Sequence, residues 1–235
     1  MENLLKHQFV AVVNTHRNKM APEWTSEPVV RMEDIADYRF DVIDPKNAGD
    51  TIKCPYGHGT ATYLNGQEGN TYTLRFIAYE DYLNQFVFDD GQHKDRKMLP
   101  KVKNADLLVY NTDGSHVYFF VQELCEGDVA NKRSVAKIQL NTTLNLLYQS
   151  AEVRSFIDSF EKKMCFVSAK DGRVASPNNV ADGFMQAYDI IPEPLPFSFG
   201  RIGALGFEAY ESSIIELGKK VGDKSRQVTQ TVEGQ

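Results

Sequence analysis

The spacing of hydrophobic positions changes from strand-like to helix-like in the middle of the chain. Two β-rich runs, ADLLVY at 105–110 and HVYFFVQEL at 116–124, flank the turn-forming pair Asp113-Gly114, which favours an antiparallel hairpin. The following stretch, 129–149, spaces its apolar residues three or four apart, as a long helix does. A further helix over EVRSFIDSFEKK and a buried strand over KMCFVSA come next. This order predicts an α/β fold with a mixed central sheet flanked by helices.

The first third of the chain is richer in strand signals. The run HQFVAVVN, at 7–14, predicts a strand. The runs TATYL and TYTLRFI are joined by Asn-Gly and Gly-Asn pairs, which predicts a second hairpin. The stretch EDYLNQFVF fits a short helix and a half-buried element equally well.

The last third mixes irregular and regular signals. Residues 191–207 are rich in Pro, Gly and Phe and are expected to be irregular, whereas AYESSIIELGKKVG predicts a final helix. We therefore predict three parts: a β-rich N-terminal region over 1–88, attached or integral to the core, an α/β core over 89–220, and a polar flexible tail over 221–235.

Composition excludes several classes of protein. With 42 % apolar and 25 % charged residues among 235, the chain has ordinary globular values. Its longest apolar runs are about five residues, far short of a membrane-spanning helix. An odd count of three cysteines and no evident signal peptide suit a cytoplasmic protein without a membrane partner. The net charge of −6 argues against non-specific coating of nucleic acid but leaves room for a local basic groove.

The predicted central hairpin brings two carboxylates together. A two-residue turn at Asp113-Gly114 places Asp106 opposite Val121, with Glu123 as its diagonal neighbour on the same face, roughly 7–8 Å away or less. Each carboxylate ends an otherwise apolar row, so the pair could share a hard cation such as Mg²⁺. Alternatively, both acids mark the point where the strands leave the core and meet water.

The same stretch resembles the PD-(D/E)XK nuclease superfamily. The resemblance spans about residues 103–170, through NADLLVY and VYFFVQELC, then VAKIQLNTTLNLL, then KMCFVSAK. The helix is similar to the A-x-x-Q-L-x-x-T/S helices of uncharacterised bacterial members, so the chain resembles a divergent bacterial member. This implies a restriction-endonuclease-like core and metal-dependent hydrolysis of phosphodiester bonds in DNA or RNA. Asp106 and Glu123 would hold Mg²⁺ or Mn²⁺, and Glu80 or Asp81 could add a third carboxylate.

The chain departs from the family at one chemically important position. Where the family has Glu-x-Lys, this sequence has Glu123-Leu-Cys125, and a cysteine cannot carry a positive charge. Some members recruit a lysine from the following helix, which would make Lys137 the catalytic lysine here, with Lys132 next. The alternatives are that Lys137 is a solvent-facing helix charge, or that the protein is a catalytically inactive nuclease-fold module serving as an interaction or structural subunit.

Basic residues flank the two carboxylates along the chain. One group precedes Asp106 and the other follows Glu123, so the two could form a positive rim that attracts a phosphodiester. From these groups we assign substrate contacts to Lys101, Lys103, Lys132 and Arg133, and we add Gln139, which could also point from the helix toward the site. The alternative is a solvated linker and a solvated helix face.

Two other segments of the chain have residues that could bind a partner or a metal. The apolar residues Phe197, Phe199, Ile202 and Leu205 within 195–207 could form a surface for a protein partner or a homo-oligomer, or pack into this chain's own core. Cys54 and His58 provide two soft ligands, whereas a structural zinc site needs four, so the segment CPYGH is interpreted as a turn.

Overall fold

The computed structural model describes residues 1–46, 49–100, 102–125, 129–169 and 193–218, without the side chains of 129–131. These residues form four α-helices: α1 (Phe9–His16), α2 (Tyr79–Asn84), α3 (Val129–Leu147) and α4 (Ala151–Asp158). A π-helical segment (Leu4–Gln8) precedes α1, and a 3₁₀ turn covers Gly203–Leu205. The strands are β1 (Met32–Ile35), β2 (Arg39–Val42), β3 (Lys53–Cys54), β4 (Ala61–Asn65), β5 (Leu74–Ala78), β6 (Val87–Phe88), β7 (Arg96–Lys97), β8 (Leu107–Asn111), β9 (Tyr118–Leu124), β10 (Lys162–Ser168), β11 (Leu195–Pro196), β12 (Glu208–Glu211) and β13 (Ile214–Leu217).

The fold is mixed α/β and is built in three layers. The central layer is a seven-stranded sheet in the order β1-β5-β8-β9-β10-β12-β11. Its β9–β10 and β10–β12 pairs are parallel, and its other pairs are antiparallel. Helices cover one face, and a four-stranded sheet in the order β13-β4-β2-β3 covers the other. The predicted mixed central sheet is thus confirmed.

Alternation along the central strands explains this layering. Val121 of β9 packs among the helix residues Leu140 and Leu144, whereas its neighbour Phe120 packs with Tyr63 of the small sheet. Successive residues of a strand point to opposite faces. A strand between two apolar layers therefore becomes buried throughout, as β8 and β9 are.

The central hairpin is confirmed, but its turn is longer than predicted. Strands β8 and β9 pair antiparallel with Leu107 opposite Gln122, a register two residues away from the predicted one. Asn111 causes the difference. Its side-chain oxygen accepts hydrogen bonds from the N–H groups of Val117 and Tyr118, and its amide donates to the carbonyl oxygens of Asp113 and Ser115. The loop therefore spans six residues instead of two.

The predicted strand over 7–14 is wrong, because these residues are helical. Leu5, Phe9, Val12 and Val13 are buried in the helix-side core, and their spacing of four, three and one is that of one helix face. The β-branched residues within a short window suggested a strand, whereas the spacing that begins at Leu5 is helical.

The second predicted hairpin is also wrong, although its turn is present. Gly66 and Gly69 have positive φ angles of 74° and 78°, and the Asn65 side chain bonds both the N–H and the C=O of Tyr72. The two strands then diverge: β4 joins the small sheet, and β5 joins the large one. The stretch after β5 forms the short helix α2.

The predicted final helix is replaced by two strands. Ile215 and Leu217 are buried while Glu216 between them is exposed, a period of two that belongs to a strand. Strand β13 pairs in parallel with β4 from the first third of the chain. Residues 219–235, including the predicted tail, lie outside the described residues. Among the helices described, none has the length and apolar character needed to cross a bilayer.

Candidate metal centre

Asp106 and Glu123 lie closer than the predicted hairpin would place them. Extending the observed register by one residue beyond Leu107 sets Asp106 directly opposite Glu123. Both side chains are buried, with 5 % and 7 % of their surface exposed. Both share the sheet face of Leu108 and Val121, which α3 covers. The carboxylates therefore do not mark the exit of the strands into water.

Two neighbouring elements fix Asp106. Its carbonyl oxygen accepts the N–H groups of Tyr79 at 2.8 Å and Glu80 at 3.3 Å, at the start of α2. Its carboxylate Oδ2 accepts the N–H of Leu124 at 2.6 Å. Helix α2 and the end of β9 are thus both attached to this residue, and α2 brings its first-turn carboxylate to the same place.

A third and a fourth carboxylate complete the cluster. Asp44, Glu80 and Asp106 each place one carboxylate oxygen within 4.8 Å of the others. Of the two acids proposed at the start of α2, the structure brings Glu80 to the cluster, whereas Asp81 forms a salt bridge with Arg31 at 3.0 Å. Asp44 follows β2 of the small sheet, so the carboxylates come from both sheets and from a helix.

The cluster stores unfavourable electrostatic energy. Burial raises the pKa of Asp106 well above its ordinary value, and the charges of Asp44 and Glu80 raise it further, against the opposing Leu124 N–H. Burial likewise raises the pKa of Glu123, with the charges of Asp106, Glu80 and Asp44 adding to the effect. Like charges in a desolvated site favour either bound protons or a bound cation.

The donor set suits a hard divalent cation. Glu123 Oε2 is buried and has no hydrogen-bond partner, although the carboxylates of Asp106 and Glu80 act on it. A carboxylate oxygen among other carboxylates lacks a donor, and a cation would satisfy it. Clusters of carboxylate oxygens are the typical ligands of Mg²⁺ and Mn²⁺. Asp44, Glu80 and Asp106 are therefore the residues that could hold one, and Glu123 beside them has an oxygen free to add to the set.

Gln139 links α3 to this cluster. Its Nε2 donates to the carbonyl oxygen of Asn104 at 2.8 Å, and its side-chain amide lowers the pKa of Glu123 against the larger effect of burial. The structure thus places Gln139 at the candidate site, toward which the sequence analysis expected it to point.

Cys125 stands where the resemblance expects a lysine. The thiol is buried, and burial together with the charges of Glu123 and Asp106 raises its pKa to about 11, against an opposing effect of Lys132. The thiol is therefore neutral at ordinary pH and supplies no positive charge. Lys132 of α3 is the cation whose charge reaches this position.

Lys137 faces the sheet, but its ammonium pairs with Glu211 of β12 rather than with the carboxylate cluster. Its ammonium lies 3.0 Å from a carboxylate oxygen of Glu211 and 4.3 Å from the ring centroid of Phe197. Only 18 % of the side chain is exposed, so the interpretation of Lys137 as a solvent-facing charge is wrong. Glu211 lies on β12, two strands away from Glu123 on β9.

The other residues assigned to substrate binding have mixed positions. Arg133 forms a 2.7 Å salt bridge with Glu211, and Lys103 and Lys132 are exposed. Lys101 lies outside the described residues. Upstream, Arg96 is paired with Asp90.

The apolar segment over 195–207 packs largely on this chain's own core. Ile202 is buried, and Phe197, Phe199 and Leu205 are partly buried against the helix-side core. Leu195 is the large apolar residue of the segment that stays exposed. Packing within the chain, the alternative to a partner surface, accounts for most of these side chains.

A further buried carboxylate, outside the cluster, has a different environment. Asp41 of β2 accepts hydrogen bonds from the N–H groups of Gly57 and Gly59, at 2.9 and 2.8 Å, and from the Thr62 hydroxyl at 2.6 Å. These bonds hold the loop that contains Cys54 and His58, in agreement with its interpretation as a turn. The three cysteines Cys54, Cys125 and Cys165 form no disulfide.

Comparisons with protein-family models, curated proteins and solved structures gave no match to this chain.

The sequence pattern did not reveal Asp44 as a member of the cluster. Its one local signal is the Asp44-Pro45 pair that ends an alternating run, and such a pair marks the end of a strand far more often than a ligand.

Proposed function

We propose that this protein is a metal-dependent nuclease of the PD-(D/E)XK type, with a restriction-endonuclease-like core, that hydrolyses phosphodiester bonds in nucleic acid. The observation that carries the proposal is the convergence of Asp44, Glu80 and Asp106, whose charges act on Glu123, a residue with one oxygen buried and lacking a donor. The hairpin that carries two of these acids, followed by a helix and a parallel strand, has the element order that the resemblance implies.

In this proposal each residue around the cluster has a distinct role. Asp44, Glu80 and Asp106, with Glu123 beside them, would hold Mg²⁺ or Mn²⁺, which when bound would lower the pKa of water and neutralise charge on the phosphate. The Leu124 N–H orients Asp106, and Gln139 orients Glu123. Lys132, whose charge reaches the position of the missing family lysine, is better placed than Lys137 to act on the attacking water.

A second candidate function is a binding module that keeps the scaffold without the chemistry. Two observations favour it: the neutral Cys125 thiol occupies the lysine position, and Glu211 engages the ammonium of Lys137. Such a module would act through protein contacts or as a structural subunit.

Metal binding can be tested by neutralising Glu80 and Asp81 separately, because only Glu80 belongs to the carboxylate cluster. We expect calorimetry to show Mn²⁺ binding by the wild type, weakened at least tenfold, or about 1.4 kcal/mol, by Glu80→Gln. Asp81→Asn removes the same charge one residue away, where the carboxylate pairs with Arg31, and should leave the affinity unchanged. Equal affinities in all three proteins would contradict the proposed centre.

Activity assays separate the two candidate functions. A nuclease should cleave DNA or RNA with Mn²⁺, lose cleavage in Asp106→Asn, and lose turnover more in Lys132→Ala than in Lys137→Ala. An inert wild type that gains cleavage on Cys125→Lys would be a scaffold that has lost its chemistry. Inert wild type and inert Cys125→Lys proteins would favour the binding module.

A further inference from the structure

A second charged cluster lies beside the carboxylates of the candidate metal centre. It contains two cations and one anion, so positive charge predominates in it. Arg133 and Lys137 lie about one turn apart on α3, and both bind the single carboxylate of Glu211, at 2.7 and 3.0 Å. Two cations on one anion leave a local excess of positive charge. This excess occurs in a chain whose net charge is −6.

The register of the large sheet fixes where this cluster lies. Glu211 is paired with Val167, and Val167 is paired with Glu123, so the two glutamates lie in one row across three strands. Neighbouring strands are about 4.8 Å apart, which places the two backbone positions about 10 Å apart. The row faces α3, so a ligand lying along the helix edge can reach both clusters.

The side chains are suited to an anion that competes with Glu211. An arginine guanidinium binds carboxylate and phosphate oxygens with the same planar fork, and 49 % of the Arg133 side chain is exposed to solvent. The Phe197 ring beneath the Lys137 ammonium gives this cation a second support that does not depend on Glu211. The cations would therefore stay in place if Glu211 withdrew.

We propose that Arg133 and Lys137 form a subsite for a backbone phosphate of nucleic acid, and that Glu211 occupies this subsite as an internal competitor. The identity of the ligand rests on the proposed nuclease function. Entry of a phosphodiester displaces the Glu211 carboxylate from both cations. Lys137 thus binds substrate about two strands away from the reacting phosphate.

The test measures binding without chemistry. Fluorescence anisotropy with a labelled single-stranded oligodeoxynucleotide, in EDTA and at several salt concentrations, reports the subsite independently of the metal centre. We expect Glu211→Gln to tighten binding by about tenfold, the effect of one charge-assisted hydrogen bond. The dependence of log affinity on log salt should steepen by ~0.7 for each additional phosphate that the protein neutralises.

Matched variants separate this mechanism from a general change in charge. Glu208→Gln removes the same charge from the same strand, at a carboxylate that accepts a bond from Tyr210, and should leave affinity within about twofold because exposed charges are screened. Adding Arg133→Gln to Glu211→Gln should remove the gain in affinity. If Glu211→Gln folds poorly, Glu211→Asp replaces it in the test. Its shorter side chain cannot reach both cations, so we expect a gain in affinity that is smaller than the one expected for Glu211→Gln.

Three outcomes would overturn the proposal: equal gains in Glu208→Gln and Glu211→Gln, no gain in either Glu211 variant, or no binding by any variant. Because these measurements contain no divalent ion, their failure leaves Mn²⁺ binding at the carboxylates unaffected. If the proposed metal centre is wrong, calorimetry will show no Mn²⁺ binding, while the differences in oligonucleotide affinity among the Glu211, Glu208 and Arg133 variants will remain.

Discussion

Two buried carboxylates, Asp41 and Glu123, have opposite relations to the rest of the protein. Asp41 accepts two backbone N–H groups and a hydroxyl, so the fold itself compensates for burying its charge. Glu123 lies where the charges of Asp106, Glu80 and Asp44 act on it, and it keeps an oxygen without a donor. Burial alone therefore does not distinguish an acid whose charge the fold stabilises from one whose charge it leaves unstabilised, whereas a count of available donors does.

Removing the compensated carboxylate should have the largest effect. Asp41→Ala leaves the Gly59 N–H and the Thr62 hydroxyl buried without an acceptor, and it also removes the acceptor of the more exposed Gly57 N–H. Each unsatisfied donor costs about 1–3 kcal/mol, so we expect the free energy of unfolding to fall by about 3–5 kcal/mol in urea titrations. A loss below about 1 kcal/mol would mean that Asp41 is not compensated as described.

Neutralising Asp106 and Glu123, the two buried carboxylates with raised pKa values, should have the opposite effect on stability. In EDTA at neutral pH, the double variant Asp106→Asn, Glu123→Gln should unfold less readily than the wild type, by a few kcal/mol, since each unit of raised pKa corresponds to ~1.4 kcal/mol. Urea titration gives the measurement. A destabilised double variant under these conditions would remove the contrast with Asp41.

The pH dependence of this effect has a defined sign. The folded-state pKa values of Asp106 and Glu123 are raised, while unfolded carboxyls titrate near about 4. Below that pH both states are protonated, and the wild type keeps its full stability. As the pH rises toward the folded-state values, the wild type loses stability relative to the double variant. Adding Mn²⁺ should reverse the order, because only the wild type binds it.

The smallest effect is expected at Gln139. Gln139→Leu removes the amide that lowers the pKa of Glu123 and leaves the carbonyl oxygen of Asn104 without its side-chain donor. We expect a loss of about 1 kcal/mol in urea titrations and Mn²⁺ affinity lowered several-fold but not abolished. Gln149→Leu, at an exposed residue of the turn after α3, is the control; equal effects in the two variants would argue against a role of Gln139 at the cluster.

Local patterns were sufficient for the elements that carry the cluster. Strand β9, helix α3 and strand β10 follow from periodicity, because each is long and has one clear period. The two acids at the ends of apolar rows follow from the same pattern. Their burial does not, because it depends on α3 and α2 closing over that end of the hairpin.

Non-local pairing limited the remaining predictions. The register of β8 and β9 depends on Asn111, whose four hydrogen bonds organise a long loop where Asp113-Gly114 suggested a short turn. Asp44 reaches the cluster because the small sheet packs beneath the large one, and no sequence spacing encodes that contact. Strand β13 depends on a partner, β4, about 150 residues earlier in the chain, where a short window indicates a helix.

The pairing of β13 with β4 has a consequence for synthesis on the ribosome. Strand β4 holds β2, and the chain leaving β2 carries Asp44, so the layer that supplies this acid gains its outer strand only after Leu217 has emerged. Long-range strand pairs form late and slowly. The ribosome therefore synthesises residues 1–213 before the free edge of β4 gains its partner strand. Stalling before Ile214 would leave β4 open to pairing with other chains.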